Sequence, residues 1–280
     1  MITRRYLIGL IFFAMASHNV VAATRSDTAK EKRWKAQIVP QLMVGEAVTL
    51  KAAGTPFLAL YAPNHYKQTY GGVILIHGLG ANPAWPQVIE PLRIALPDHG
   101  WTTLSLQMPI LPNEASLKDY LPLMPEAPTR IQAGVDYLKA RGIKNIVIIA
   151  HSLGATMADI YLANKPDPAV HAYVAIGMST PFPKRYDNAR ALTQINMPLL
   201  DIYGGQDLDS VRVFAKARAA AARQANRHYT QLKVPGADHF FSDKQNTLIK
   251  LVRGWLMKNA SGIKQTSTFQ NQERKGNDYT

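Results

Sequence analysis

The chain has 280 residues, 47% of them hydrophobic, and a formal net charge of +13 at pH 7. A chain of this length suits a single α/β domain with one large sheet and a buried core. Because it contains no cysteine, the sequence excludes a cysteine nucleophile, a cysteine-liganded zinc site and a lipid-modified cysteine.

The N-terminus has the pattern of a signal peptide. Arg4 and Arg5 precede an apolar block over residues 6–16, and small residues end at Ala23. An apolar region of about 7–15 residues is typical of such peptides. An uncleaved anchor is the alternative, but about 20 apolar residues are needed to span a bilayer, and polar residues interrupt this run. We therefore expect cleavage after Ala23, or after Ala22 as second choice, and a periplasmic or secreted protein.

Beyond the signal peptide, residues 1–23, the chain divides into three predicted segments. Residues 24–44 are basic and largely polar, residues 45–259 carry the strand and helix patterns, and residues 260–280 are polar with scarcely an apolar side chain. We expect one α/β domain between two flexible ends.

Strand and helix patterns alternate along residues 45–259. Strand candidates, some with the turn that follows them, cover residues 47–51, 57–62, 72–80, 101–106, 146–154, 170–176, 198–203 and 229–234. Helix candidates cover residues 86–96, 129–141, 155–164, 210–226 and 244–258. This alternation predicts an α/β fold with a mostly parallel sheet and helices on both faces.

The apolar run over residues 146–150 ends in the sequence Ala150-His-Ser-Leu-Gly154. This small-x-Ser-x-Gly pattern predicts a buried strand, a sharp turn and a helix, which together lift the serine hydroxyl above the sheet edge. The positions two before and two after the serine must be small because neighbouring backbone crowds them, and Ala150 stands where glycine is commoner. Ser152 is the candidate nucleophile.

Asp207 and His239 are the candidate partners of Ser152, since a serine hydroxyl is a weak nucleophile unless an oriented base accepts its proton. Both follow apolar strand candidates, so both are expected at the carboxyl edge of the sheet. Two other aspartates compete for the acid role. Asp201 lies inside a strand pattern, where a hydrogen-bonded buried carboxylate is expected, and Asp209, the second choice, could cap the next helix.

Residues 72–80 form another apolar strand, which runs into a turn at His77 and Gly78. In acyl transfer the attacked carbonyl oxygen becomes an oxyanion, which preorganised N–H groups stabilise. We predict the backbone N–H groups of Leu79 and Leu153 as these donors.

In chain order, the His-Gly turn, the serine turn, the acid loop and the late histidine resemble the α/β-hydrolase superfamily over residues 45–259. The resemblance implies an α/β-hydrolase fold. It implies Ser152 as nucleophile, His239 as general base and then acid, and Asp207 as its orienting carboxylate. The chain is most similar to small exported bacterial proteins of uncertain chemistry, so the resemblance implies a reaction type and not a substrate.

We predict substrate contacts close to these turns, from His77, Gly78, His151 and Met108. For His77 and His151, structural roles are expected before proton transfer. Met108 belongs to the proline-rich residues 107–128, which could wall the pocket or form a rigid connection without substrate contact. An apolar pocket would favour an acyl ester over a charged substrate.

Metal and cofactor chemistry find little support in the sequence. Neither His-x-x-x-His nor Cys-x-x-Cys spacing occurs. Gly78 and Gly80 lack the third small residue of a dinucleotide-binding fingerprint, and Pro83 stands where a helix should continue. We predict no metal and no cofactor.

The sequence as a whole predicts an exported serine hydrolase that cleaves an ester or related acyl bond in a small-molecule or lipid substrate. Two alternatives stay open, a non-catalytic cell-envelope binding or scaffold protein with the same fold, and a transacylase. The charge of +13 attracts anionic envelope surfaces, while the basic side chains of residues 212–227 are interpreted first as a solvated helix face. No basic motif interleaved with aromatic residues indicates nucleic-acid binding.

Overall fold

The computed structural model describes most of the chain. The described residues are 25–66, 68–164, 166–179, 186–262 and 265–266. The predicted signal peptide and most of the predicted C-terminal tail lie outside them. No helix within these ranges is both long and apolar enough to cross a bilayer.

Ten strands are described, of which eight form the central sheet and two form a separate pair. In chain order the strands are β1 Glu46–Ala52, β2 Thr55–Ala62, β3 Gln68–Thr69, β4 Gly71–Ile76, β5 Trp101–Leu106, β6 Ile146–His151, β7 Val170–Ile176, β8 Leu199–Gly204, β9 Tyr229–Val234 and β10 Gln265–Thr266. The order across the sheet is β1-β2-β5-β4-β6-β7-β8-β9, and β10 pairs with β3 separately. From β5 to β9 neighbouring strands are parallel, whereas β1 and β2 are antiparallel.

Most of the described helices connect parallel strands, whereas the first precedes and the last follows the eight-stranded sheet in sequence. The helices are α1 Thr28–Ile38, α2 Ile89–Ala95, α3 Leu117–Tyr120, α4 Ala127–Ala140, α5 Leu153–Leu162, α6 Asn188–Leu192, α7 Asp209–Arg212, α8 Ala215–Ala225 and α9 Gln245–Asn259. Short 3-10 turns lie at Val39–Gln41, Leu96–His99 and Leu121–Glu126. The predicted helix over residues 210–226 is therefore two helices, α7 and α8.

Helices cover both faces of the sheet, which confirms the predicted fold class. Successive side chains of a strand point to opposite faces. In β4, Ile74 packs into a cluster with α4, α5, α6 and α8, whereas Val73 and Leu75 pack into a second cluster with α2 and α9. Strands buried on both faces are almost continuously apolar, as β4 is and as β6 is up to His151.

Helix α1 is tied to the segment that follows β5. The backbone N–H of Asp27 donates to the carbonyl of Ile110 at 2.7 Å. Buried Glu31 pairs with buried Arg130 at 2.8 Å, and Arg130 also donates to the carbonyl of Gln107 at 2.8 Å. The expectation of a flexible N-terminal segment is thus corrected, because an ion pair between residues distant in sequence holds it.

Candidate active site

Ser152 lies at a sharp turn between β6 and α5. Its backbone has φ 56° and ψ −124°, a conformation that costs a non-glycine residue on the order of 1–3 kcal/mol and persists only where the surroundings hold it. The surroundings do so on both sides, since Ser152 N–H donates to Ile176 O at 2.9 Å and Ser152 O accepts from Ala155 N–H at 2.9 Å. The turn directs the hydroxyl away from the sheet.

Gly154 fits only without a side chain. A Cβ placed there would lie 2.5 Å from the carbonyl oxygen of His77 and 2.7 Å from that of Ile76. Both are backbone atoms and cannot move aside cheaply. Ala150, by contrast, is fully buried in β6 and keeps its regular pairing with β4 and β7, so its methyl group is accommodated.

The structure brings Ser152, His239 and Asp207 into contact. His239 Nε2 lies 2.9 Å from Ser152 Oγ, and His239 Nδ1 lies 2.6 Å from Asp207 Oδ1. Asp207 and His239 are buried, and they belong to the loops after β8 and β9. The carboxyl ends of β6, β8 and β9 share one edge of the sheet because these strands are parallel. A nucleophile, a base and an orienting carboxylate in this arrangement can carry out acyl transfer.

Asp207 is fixed by two backbone donors. The N–H of Gly204 donates to Oδ2 at 3.1 Å and that of Leu208 to Oδ1 at 2.8 Å. The competing aspartates lie elsewhere. Asp201 is fully buried in β8 and pairs with Arg218 at 3.2 Å, and Asp209 has a side chain 81% exposed that pairs with Arg212 at 2.5 Å.

The His-Gly turn after β4 lies directly beside Ser152. A Cβ at Gly78 would be 3.0 Å from Ser152 Cβ. Leu153 is the first residue of α5, and the first N–H groups of a helix have no partner within it. Leu79 and Leu153 line the same cavity as Ser152. Their role as oxyanion donors stays a prediction.

His77 holds this turn from behind and does not line the cavity. Its Nδ1 lies 2.8 Å from the carbonyl of Gly78, and its Nε2 accepts from Met108 N–H at 2.9 Å. Burial lowers the pKa of His77 to about 4. Met108 is fully buried in the core on the α4 and α5 face. These positions correct the predictions of direct substrate contact for His77 and Met108, because both side chains are enclosed by protein.

His151 borders the cavity and supports the histidine loop. Its Nε2 lies 2.9 Å from the carbonyl of His239, and the two imidazole rings are 4.8 Å apart. Burial, followed by the charge of His239, lowers the pKa of His151 to about 4. A neutral imidazole has one N–H, which here donates to that carbonyl. His151 therefore holds the backbone of His239 and also lines the cavity, as Gly78 does.

A cavity of about 350 Å³ opens beside Ser152. Apolar side chains form most of its wall, namely Leu79, Ala81, Trp85, Leu117, Leu153, Leu208 and Phe240. Ser179 and Ser210 add hydroxyls 3.4 Å apart. Sequence reasoning missed Leu208 and Leu117. For Leu208 a signal exists, since it directly follows Asp207, whereas Leu117 belongs to the proline-rich stretch and gives that stretch a place in the wall.

No cluster of three or more histidine and acidic side chains that could hold a metal ion occurs within the described part of the chain. The groups at the site are paired with each other, as His239 is with Asp207. Proton transfer between these side chains is the chemistry that the arrangement provides.

A family model described as "Protein of unknown function (DUF3530)" matches residues 5–129 and 121–258. The chain belongs to this family. No curated protein is significantly similar to this DUF3530 chain in sequence.

Solved structures share the fold. An alpha-beta serine hydrolase homologue from Coxiella burnetii has a TM-score of 0.60 at 16% identity over 76% of this chain and 98% of its own. Est1E from Butyrivibrio proteoclasticus has a TM-score of 0.60 at 15% identity over 76% and 98%. The Pyrococcus furiosus esterase Pf2001 has a TM-score of 0.61 at 16% identity over 77% and 92%. The DUF3530 chain therefore has the α/β-hydrolase fold, as its motifs predict.

Proposed function

We propose that this protein is a serine hydrolase that cleaves an ester or related acyl bond through Ser152. One observation carries the proposal. The Ser152 hydroxyl, the His239 imidazole and the Asp207 carboxylate form a continuous hydrogen-bonded chain, with distances of 2.9 Å and 2.6 Å, next to an apolar cavity. Because fold alone does not decide function, the proposal is based on the contacts between these three side chains.

In the first half-reaction, Ser152 Oγ attacks the acyl carbon while His239 Nε2 accepts the hydroxyl proton. The charge that forms on the imidazole is stabilised by Asp207, which is already 2.6 Å from Nδ1. The carbonyl oxygen becomes an oxyanion facing the N–H groups of Leu79 and Leu153. When the bond to the alcohol breaks, His239 returns the proton to the leaving oxygen, and the acyl group remains on Ser152.

In the second half-reaction, a water takes the place of the alcohol. His239 Nε2 accepts a proton from this water as its oxygen attacks the acyl carbon, and the carbonyl oxygen again uses the oxyanion donors. The bond to Ser152 Oγ then breaks, His239 returns the proton to that oxygen, and a carboxylic acid leaves. A transacylase would share the first half and use another acceptor in the second.

The apolar wall favours an acyl group as the bound part of the substrate. Leucine, tryptophan and phenylalanine side chains gain free energy by contact with hydrocarbon and carry no charge that could pair with an ionic group. Among these similar folds, Pf2001 is described as an esterase, and Est1E is described with ferulic acid bound. These descriptions support an ester, and they apply to those proteins.

Reaction with a fluorophosphonate probe tests the proposal, since such probes phosphonylate an activated serine. We expect the folded protein to be labelled and Ser152→Ala to be unlabelled. His239→Ala should label at least about 100-fold more slowly, because general-base catalysis contributes roughly 10²–10⁴. His171→Ala is the matched control, since His171 is exposed at the start of β7, far from the serine.

An unreactive wild type with a cooperative unfolding transition would favour the non-catalytic scaffold instead. Equal loss of labelling in His171→Ala would show that the wrong base has been chosen. For a labelled protein, a screen of short and long acyl esters in water, with and without added alcohols, separates hydrolysis from acyl transfer.

We also propose that the hydrolase is exported. The support is the sequence pattern of two arginines, an apolar block and small residues up to Ala23. Mass spectrometry of the protein from cell fractions should find a mature N-terminus at Thr24 in the periplasm or medium. An intact Met1 in the soluble cytoplasmic fraction would contradict export and leave the hydrolase proposal untouched.

A further inference from the structure

Large apolar side chains are exposed around the mouth of the catalytic cavity. Five of them, with 38–69% of their surface exposed, form what we call the apolar rim: Leu79, Leu117, Leu208, Val213 and Phe240. Four of the five also line the cavity, and Val213 is the exception. Exposed apolar side chains that gather in one place mark a surface that binds something.

The members of the apolar rim come from four catalytic-edge loops or their extensions, because Leu208 and Val213 share the connection that follows β8. Leu208 and Phe240 directly follow Asp207 and His239 in sequence. Val213 directly follows α7 and keeps helical backbone angles, φ −61° and ψ −37°. It lies three residues after Ser210, which lines the cavity, and residues three apart share a helix face. The rim therefore surrounds the opening on several sides. The loops that position Asp207 and His239 also expose Leu208 and Phe240.

Positive charge lies beside the apolar rim. Lys118 directly follows Leu117, and Arg212 and Lys216 flank Val213 in sequence, all three exposed. Arg212 is paired with Asp209 at 2.5 Å, and the exposed carboxylate of Asp119 interacts with Lys118. Lys216 is therefore the strongest attraction for an anion beside the rim. The formal charge of the chain, +13, adds a long-range attraction of the same sign.

We propose that the apolar rim docks on an anionic phospholipid surface, and that an acyl chain passes from that surface into the cavity. The docking step stands on the rim and its lysines alone. The conclusion that the substrate is a membrane lipid ester rests on the proposed hydrolase function. Apolar side chains inserted at the headgroup boundary, flanked by lysine and arginine, are what bind proteins to anionic bilayers.

The position of the cavity favours a lipid over a protein partner. The opening lies in the middle of the rim, so a surface pressed against the rim seals the cavity from water. A hydrocarbon chain then reaches Ser152 without crossing water, which would cost about 0.8 kcal/mol for each exposed CH₂ group. A protein partner would gain the rim contacts and cover the cavity without using it.

Co-sedimentation with vesicles tests docking separately from catalysis, because the inactive Ser152→Ala protein can be used throughout. It should bind vesicles of phosphatidylethanolamine and phosphatidylglycerol more tightly than vesicles of phosphatidylcholine. In this background, Val213→Ser should weaken binding roughly tenfold, since full burial of a valine corresponds to about that factor. Lys216→Gln should weaken it about fivefold. Val213 is 69% exposed, so its replacement should leave the thermal midpoint unchanged.

Matched controls lie at the opposite edge of the sheet. Met43→Ser removes an apolar side chain that is 92% exposed, and Lys258→Gln removes an exposed charge near the end of α9. Both should bind as the parent does. With active protein, Val213→Ser should slow hydrolysis of vesicle lipids and not of a water-soluble ester.

Three outcomes would overturn the proposal. The first is failure to bind either vesicle, and the second is equal loss in the rim and control variants. The third is a change in oligomeric state of Val213→Ser, which would make the rim a contact between copies. Binding without lipid hydrolysis by active protein would support docking and reject the lipid as substrate.

Discussion

Replacing His77 by alanine tests whether the His-Gly turn is held from behind. The imidazole joins Gly78 O, at 2.8 Å, to Met108 N–H, at 2.9 Å. Gly78 O keeps a second donor, Ala81 N–H at 3.3 Å. His77 Nε2 also lies 3.1 Å from Gln107 Nε2, which has a second partner in Met108 O at 2.8 Å. The alanine variant therefore leaves Met108 N–H without a partner, removes one of the two contacts of Gln107 Nε2 and opens a cavity the size of the ring.

The expected loss has two parts. An orphaned buried donor costs about 1–3 kcal/mol, and removal of a large buried side chain costs about 2–5 kcal/mol. The cost of removing the side chain already includes part of the cost of the lost hydrogen bond, so the two estimates do not add in full. We expect the free energy of unfolding to fall by about 3–5 kcal/mol. If the turn then shifts, Leu79 N–H moves away from the oxyanion, and loss of one such donor slows acylation about 10²–10³-fold.

Urea unfolding measures the first effect and the rate of fluorophosphonate labelling the second. Leu138→Ala is the stability-matched control. Leu138 is fully buried on α4 and faces Gly72 at the start of β4, the end remote from His77. It should lose comparable stability and label at the wild-type rate in the absence of urea.

Equal labelling rates in the two variants would refute the reasoning, because His77 would then contribute packing and nothing to the oxyanion turn. A His77→Ala protein as stable as the wild type would refute the hydrogen-bond argument itself.

Two more predictions concern the serine turn and pH. Gly154→Ala should destabilise the protein by more than about 2 kcal/mol and slow labelling, because the new Cβ would lie 2.5 and 2.7 Å from two carbonyl oxygens. Gly254→Ala is the control. Gly254 has open space around it in α9, so this change should stabilise the protein by about 0.4–1 kcal/mol. Urea midpoints of both against wild type decide this. His77 and His151 have pKa values lowered from 6.5 to about 4, so the unfolded chain binds protons first and stability should fall as pH drops from about 6.5 towards 4. Asp159, its pKa raised by burial to about 7, acts in the opposite direction, so Asp159→Asn should steepen the loss by about 1.4 kcal/mol per pH unit, measured as unfolding free energy between pH 7 and 5.

The strands and the catalytic loops could be predicted because their signals are local. Residues 146–150 are apolar without a break, and β6 is buried on both faces. Once the sheet is parallel, the loops that follow its strands must meet at one edge, so Asp207 and His239 could be placed beside Ser152 without any contact information. The glycine requirement at Gly154 follows from the same crowding.

Features that depend on distant contacts could not be predicted in this way. Helix α1 is held by the pairing of Glu31 with Arg130, which are 99 residues apart in sequence. Met108 follows a catalytic-edge strand and looks like a wall residue, but the position of the next loop turns it into the core. The direction of a side chain after a strand depends on how that loop packs, and an apolar sequence is compatible with either side.

Three described histidines surround the serine turn, and their partners separate their roles. Burial lowers the pKa of His77 and His151 to about 4, and the N–H of each imidazole donates to a backbone carbonyl. His239 instead lies between a hydroxyl and the carboxylate of Asp207. In the proposed mechanism, the Ser152 proton therefore passes to His239, the one imidazole whose positive charge Asp207 can stabilise. The other two stay neutral near pH 7 and hold the turns on either side, which is why a site with three histidines can have a single base.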